Sequence, residues 1–286
     1  MSKIVNIKSE FNSSSAATLY IELLKKNLLY SIWDEPPIPL NTFNYRRSTL
    51  KKMIINFLTG ILEKFHLELS QTNSFSQADL NQGRVWPKNA TTMIGKDRLD
   101  NLHHCIEQIL KENIEGHLIE TGVWRGGACI LMSGVLQVYG DCKRRVYVAD
   151  SFKGIPPPDA AYPADRLLNW HTEKYLSVSL EEVKENFRKF DLLSDQIIFI
   201  EGFFKDTLPK AKIDRLSLLR LDGDMYSSTY ESLTYLYPKL SSGGYVIVDD
   251  YALNNCRQAV NDYREKFNIK TKMVQIDWTG CFWKKE

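Results

Sequence analysis

His117 to Gly127 reads HLIETGVWRGG: a short apolar run, one acid, then a glycine-rich turn leading into the helix-like ACILMSGVLQVYG (128–140). A strand that passes through glycine into a helix is the opening unit of a parallel α/β sheet. Gly122 lets the backbone turn sharply, and Gly126 lets the helix N-terminus and a ligand come close. Trp124 stands where a dinucleotide fingerprint has its middle glycine, the residue that admits a pyrophosphate. An indole there speaks against NAD and for a ligand without phosphate, such as S-adenosylmethionine. The spacing alone is matched about equally well by a plain strand–helix turn.

Outward from this stretch the chain alternates. VYVAD (146–150), QIIFIEG (196–202), LSLLRLD (216–222) and GGYVIVDD (243–250) are further apolar runs ending in acid or glycine. LDNLHHCIEQILKE (99–112), SLEEVKENFRKF (179–190) and TYESLTYLYPKL (229–240) read as the intervening helices. Such alternation predicts an α/β, doubly wound, Rossmann-like sheet, with function gathered at the carboxyl ends of its strands. KTKMVQID (270–277) and GCFWKK (280–285) predict a terminal hairpin that adds antiparallel strands to the edge.

The strand ends carry the chemistry. Asp150 follows Gly122 by 28 residues, a spacing that suits an acid accepting hydrogen bonds from ribose hydroxyls. Phe203 and Phe204, after Gly202, fit either the flank of an adenine or the core. Asp222 and Asp224 follow the fourth run, and Asp249 and Asp250 end the fifth. Neighbouring strands would bring these acids together, where they would repel one another and raise their own pKa values. A hard divalent cation resolves that conflict, and Mg²⁺ takes a few carboxylates while leaving positions for water or substrate. Among the histidines, His103, His104 and His117 read as solvated or packed side chains, and His171 is the one kept as a candidate base. Trp278 and Trp283 suit stacking on an acceptor ring or packing of an edge strand.

Before Trp86-Pro87 the pattern is helical. AATLYIELLKKNLLYSIW (16–33) places Leu19, Leu23, Leu24 and Leu28 on one face, and TLKKMIINFLTGILEKFHLEL (49–69) aligns Leu50, Ile54, Phe57, Ile61 and Phe65. The second stripe is expected to pack on the main domain or on a partner subunit. WDEPPIPLNTFNYRR (33–47) reads as a linker and SQTNSFSQADLNQGR (70–84) as a polar loop. The division expected is a helical N-terminal extension over 1–85, serving as cap or dimerisation arm, and one domain over 86–286.

Thirty-seven Lys and Arg against 35 Asp and Glu leave a net charge of +2, which predicts no attraction to nucleic acid. The opening SKIVNIKSEFNSSS (2–15) lacks the apolar core of a signal peptide, and no run reaches the length of a membrane span. Five scattered cysteines without a CxxC pair read as reduced thiols, so a cytoplasmic protein without membrane contact is expected.

Taken in order, several long motifs from Trp86 onward resemble the macrocin O-methyltransferase family, which acts on macrolide and aminocoumarin sugars. They are WPKNATTMIGKDRLDNL, IETGVWRGGACILM, ADSFKGIPPPD, YLSVSLEEVKENF, EGFFKDTLP, LRLDGDMYSSTYESL, YPKLSSGGYVIVDDY, CRQAVNDYR and IDWTGCFWKK. LYIELLKKNLLY is similar to the family's helical N-terminus. The resemblance implies a class I S-adenosylmethionine-dependent methyltransferase fold with a Mg²⁺ that chelates the acceptor beside the sulfonium methyl. By motif, Asp222, Asp249 and Asp250 match the metal ligands, and Asp222 also the general base, with Asp224 an alternative to Asp222. Glu120, Thr121, Gly122, Val123, Asp150, Ser151, Gly202, Phe203 and Asp222 match cofactor contacts, and Met93 and Ile94 approach from the preceding segment. Asn254-Asn255 departs from the small or proline residues expected before Cys256-Arg257. Ala161–His171, the expected lid, also departs, and both regions bear on the acceptor.

The function expected is Mg²⁺- and S-adenosylmethionine-dependent O-methylation of a small hydroxylated natural product, with a sugar hydroxyl as acceptor, in secondary-metabolite biosynthesis. Polyketide, peptide or catechol-type hydroxyls are alternatives within that chemistry. A NAD-dependent oxidoreductase and a non-catalytic S-adenosylmethionine-binding subunit are the alternatives outside it. A homodimer is expected, each N-terminal arm covering the other subunit's site.

Overall fold

The computed structural model describes residues 15–34, 37–40, 48–71 and 75–286. The segment read as a signal-free N-terminus therefore lies, apart from Ser15, outside the described residues, as do parts of the expected linker and polar loop.

A seven-stranded sheet organises the chain. Its strands are β3 (His117–Thr121), β4 (Val146–Asp150), β5 (Ile197–Glu201), β6 (Leu216–Leu221), β7 (Leu240–Val248), β8 (Val274–Gln275) and β9 (Cys281–Lys284). The short β1 (Ile38–Pro39) and β2 (Ser70–Gln71) pair separately. In space the order is β5-β4-β3-β6-β7-β9-β8, with β3 to β7 all parallel. The terminal hairpin is present, but only one of its strands opposes the sheet. The last strand, β9, inserts antiparallel beside β7, and β8 pairs antiparallel on its outer side and so runs with the rest.

Period-two alternation divides each strand between two cores. Leu118, Val146, Val148, Leu218 and Ile247 face one cluster, with α4 (Lys96–Lys111), α5 (Gly127–Val138) and α6 (Leu180–Lys189). Ile119, Tyr147, Leu219, Val246 and Val248 face the other, under α8 (Tyr226–Leu236) and α9 (Asn254–Lys266). Covering on both faces explains why these strands read as unbroken apolar runs rather than as alternating ones.

The N-terminal helices differ from expectation. In α1 (Ala16–Leu28) the buried face is Ile21, Leu24, Lys25 and Leu28, while Leu19 and Leu23 are 62% and 53% exposed. Lys25 turns this face: its ammonium is buried and bonds Glu22 at 2.8 Å, Asp100 at 2.7 Å and His103 at 3.2 Å. Lys25 thereby docks α1 on α4, and Leu24 meets Gly134 of α5. In α2 (Thr49–Glu63) only Ile55 is buried; Leu50, Ile54, Phe57 and Ile61, with Phe65 beyond it, remain exposed, so the main domain does not cover that stripe. Among the described residues no helix is long and apolar enough to cross a membrane. The five cysteines are free thiols.

Candidate active site

The sheet register assembles the site. Leu221 pairs with Thr121 on one side and with Val248 on the other, so Gly122, Asp222 and Asp249 leave neighbouring strands side by side. The contact at the first pair is so close that a Cβ on Gly122 would sit 1.8 Å from the Asp222 carbonyl oxygen. Gly122 also has φ 86°, so both space and backbone require glycine there. Oxygens of Asp222, Asp249 and Asp250 converge within 4.8 Å of one another. Asp224 lies outside that group, held at φ 61° with its N–H donating to Asp250 Oδ2 at 3.1 Å.

The acids are not uncompensated, as the sequence had suggested. Arg220, buried one residue from the carboxyl end of β6, pairs with Glu120 and Asp249 and reaches Asp222 Oδ2 at 2.7 Å. Arg98, on the first turn of α4, pairs with the other oxygen of Asp249 and lies 3.0 Å from Asp277 Oδ2. Both guanidinium groups are almost wholly buried. Even beside these arginines, burial raises the proton affinity of the acids. Burial, then the neighbouring Asp249, raises the Asp222 pKa. Burial, then Asp222 and Asp249, pushes Asp224 up to about 8. Asp250 is raised well above the ordinary range by burial and by Asp224, Asp222 and Asp249. Burial takes Glu120 up to about 7 against the pull of Arg220.

Two cavities meet at these acids. The larger, about 490 Å³, is lined by Met93, Gly122, Asp150, Ser151, Phe203 and Phe204, among others. A smaller one, about 250 Å³, is lined by Ile94, Glu120, Val123, Asp249 and Asp250, with Trp86, Trp170, Tyr175 and Trp278 as aromatic walls. Asp222, Asp224, Met93 and Trp124 border both. Of the remaining expected contacts, Thr121 is buried with its hydroxyl toward the Arg220 carbonyl, and Gly202 donates its N–H to the Asp150 carbonyl at 2.9 Å; neither lines these cavities. Asp150 Oδ2 accepts the Val123 N–H at 2.8 Å and Oδ1 the Phe152 N–H at 2.7 Å, so this carboxylate shapes the glycine turn from inside. Glu120 is engaged by Arg220 and by the Cys129 thiol at 2.8 Å.

Of the expected lid, 161–171, only Trp170 borders a cavity; the segments that flank it, 155–160 and 175–176, line the cavities and are fastened at two points. Trp124 Nε1 donates to the Tyr175 carbonyl at 2.9 Å, and Lys205 bonds Asp159 at 3.0 Å. His171 is exposed and borders neither cavity. His103 faces Lys25, His117 accepts the Arg145 N–H at 3.1 Å, and His104 is exposed. The two tryptophans divide: Trp278 borders the smaller cavity and donates to the Gln82 carbonyl at 2.8 Å, while Trp283 is buried in the core near Tyr237.

Sequence reasoning missed Arg98, Arg220 and Asp277. For Arg220 a signal existed: a guanidinium inside the apolar run LSLLRL must be paired once the strand is buried. Arg98 offered none, because its partner Asp249 is 151 residues away.

Comparison with known proteins agrees with this architecture. The family model described as macrocin O-methyltransferase (TylF) matches residues 17–285. Demethyldecarbamoylnovobiocin O-methyltransferase of Streptomyces niveus is 44% identical over 288 residues, covering 100% of this chain and 99% of the relative. A second relative, from Streptomyces olivaceus, is named 8-demethyl-8-(2,3-dimethoxy-alpha-L-rhamnosyl)-tetracenomycin-C 4'-O-methyltransferase. It is 41% identical, covering 95% of this chain and 94% of its own. The solved structure of the O-methyltransferase NovP superposes with a TM-score of 0.80 at 43% identity, over 94% of this chain and 99% of that one. The chain belongs to the macrocin O-methyltransferase family and is an S-adenosylmethionine-dependent O-methyltransferase.

Proposed function

We propose that this enzyme methylates a sugar hydroxyl of a natural product in antibiotic or other secondary-metabolite biosynthesis, with a Mg²⁺-class ion as second cofactor. The observation that carries the proposal is the shared wall: Asp222 borders both cavities, while Asp249 and Asp250 border only the smaller. The larger cavity suits S-adenosylmethionine and the smaller, with its indoles, suits a sugar ring. The rhamnosyl group in the name of the Streptomyces olivaceus relative supports a sugar acceptor. Family membership sets aside the nicotinamide oxidoreductase and non-catalytic readings.

The donor set fits the metal. Asp222, Asp249 and Asp250 offer carboxylate oxygens, the donors that hard divalent ions take. Asp249 is ligated by two arginines through one lone pair per oxygen, which leaves lone pairs free. Burial first, and the neighbouring acids second, raise the proton affinity of Asp222 and Asp250, and a bound cation would relieve both effects. Bound there, Mg²⁺ would lower the pKa of an acceptor hydroxyl and orient its oxygen. S-adenosylmethionine supplies the methyl group as a sulfonium.

The chain's own residues do the rest. Met93, Gly122, Asp150, Ser151 and Phe203, which line the larger cavity, hold the cofactor; Thr121 and Gly202 support that surface from behind, and Ile94, Glu120 and Val123 border the smaller cavity beside it. Asp222, on the shared wall, takes the hydroxyl proton. An aspartate of ordinary pKa about 4 is a weak base for an alcohol, so its part is proton acceptance from an oxygen already acidified. The segment 155–160, which lines the larger cavity just before the lid, keeps water from the sulfonium. Residues 1–85 serve as a cap and dimerisation arm on a catalytic domain over 86–286, in a cytoplasmic homodimer; free thiols and the uncovered α2 stripe support this.

Calorimetric titration of Mg²⁺ or Mn²⁺ into the chelator-stripped protein tests the metal. Binding that disappears in Asp250→Asn supports the proposal. Full turnover in excess chelator would refute it.

A further inference from the structure

Asp165, midway along the lid, is completely buried. Its carboxylate lies across the start of α8: Oδ1 accepts the Tyr226 N–H at 2.8 Å and Oδ2 the Ser227 N–H at 2.9 Å. Helix α8 has no side-chain cap of its own, since Met225 precedes it, and its first turn carries no acid. A helix begins with backbone N–H groups that lack partners within the helix, and with partial positive charge. Asp165 answers both needs from more than 60 residues away. Asn255, at the start of α9, donates to the same Oδ1 at 3.2 Å and to the Asp224 carbonyl at 3.4 Å. One buried carboxylate thus joins the lid to α8 and α9, and Asn255 carries the link on to the loop with Asp222 and Asp224.

The segments on either side of Asp165 border the cavities: 155–160 line the larger, Trp170 and Tyr175 line the smaller, and Ile155 and Leu176 border both. Tyr162 adds a second anchor on α8, its ring 5.9 Å from that of Tyr226. By contrast, Leu167, just past Asp165, is 86% exposed.

We propose that Asp165 is a positioning residue for methyl transfer: it pins the lid to α8 and so ties closure over both cavities to the placement of the Asp222–Asp224 loop. Lifting the lid strips the cap from α8, so lid and catalytic loop order together. This inference rests on the cavity assignment made above for its consequence, but not for the tether itself.

Hydrogen exchange on the full-length, ligand-free protein tests the tether without reference to any ligand. In Asp165→Asn and Asp165→Ala, amides of 161–176 and of the first turn of α8 should exchange at least about tenfold faster. Alanine should exceed asparagine, which keeps one acceptor oxygen, and β3, β6 and β7 should stay unchanged. S-adenosylhomocysteine, titrated calorimetrically, should bind about fivefold or more weakly, in the same order. Asn255→Ala, which keeps the cap, should show a smaller change in the same direction, and carries the test if the Asp165 variants do not fold. Unchanged lid exchange would overturn the proposal, as would equal acceleration in lid and core strands. Faster lid exchange with unaltered S-adenosylhomocysteine affinity would keep the tether and sink the cavity assignment instead.

Discussion

Arg220 is the residue on which the site's electrostatics turn. It faces Glu120, Asp222 and Asp249 from the penultimate position of a strand whose six residues are all buried. Replacing it by methionine removes the partner and leaves three carboxylates in low dielectric, so Arg220→Met should destabilise the fold by roughly 3–5 kcal/mol. Urea denaturation followed by circular dichroism measures this; a loss under about 1 kcal/mol would mean the acids find water or protonate without penalty. Asp249→Asn asks a different question, because asparagine keeps the shape. Turnover should fall by at least about a hundredfold, and S-adenosylhomocysteine affinity should change little, since Asp249 borders only the smaller cavity. Comparable losses in both would place Asp249 in the cofactor pocket. At this scale the acids were legible, because an aspartate at the end of an apolar run marks the end of a strand. Their arginines were not, because a helix position such as Arg98 gives no sign of which strand end it meets.

At the scale of elements, the buried face of α1 separates two accounts of its apolar residues. Leu28 is fully buried against the core and Leu19 is largely exposed, although both belong to the stripe drawn from periodicity. Leu28→Ala should cost roughly 2–5 kcal/mol and Leu19→Ala less than about 0.5, read from thermal or urea unfolding. Equal costs would indicate that Leu19 is covered in solution. The helix periodicity was visible, but a helix with leucines on more than one side has several possible faces. Lys25 chose between them, through Glu22, Asp100 and His103, and two of these partners lie on α4. The segment after β4 was expected as a lid from its position and prolines, while its attachment through Asp165 needed the start of α8 to be in place.

For the whole molecule, the uncovered side of α2 makes assembly a measurable matter. Leu50, Met53, Phe57 and Phe65 together expose more apolar surface than isolated residues do on ordinary surfaces. Light scattering should give twice the 33.1 kDa of one chain, and Phe57→Lys should shift the mass toward a single chain. A wild-type monomer at micromolar concentration would end the dimer proposal. The parallel sheet, its glycine turn and the acids at the carboxyl ends of its strands were determined by the sequence itself, since hydrophobic periodicity and turn chemistry are local and leave their mark within a few residues. The strand order, the arginines that share those acids, the placement of α1 and the capping of α8 from the lid were decided only by tertiary structure. Each depends on which distant groups are brought into a low dielectric together, and burial of charge is enforced by the fold, not by neighbours in the chain.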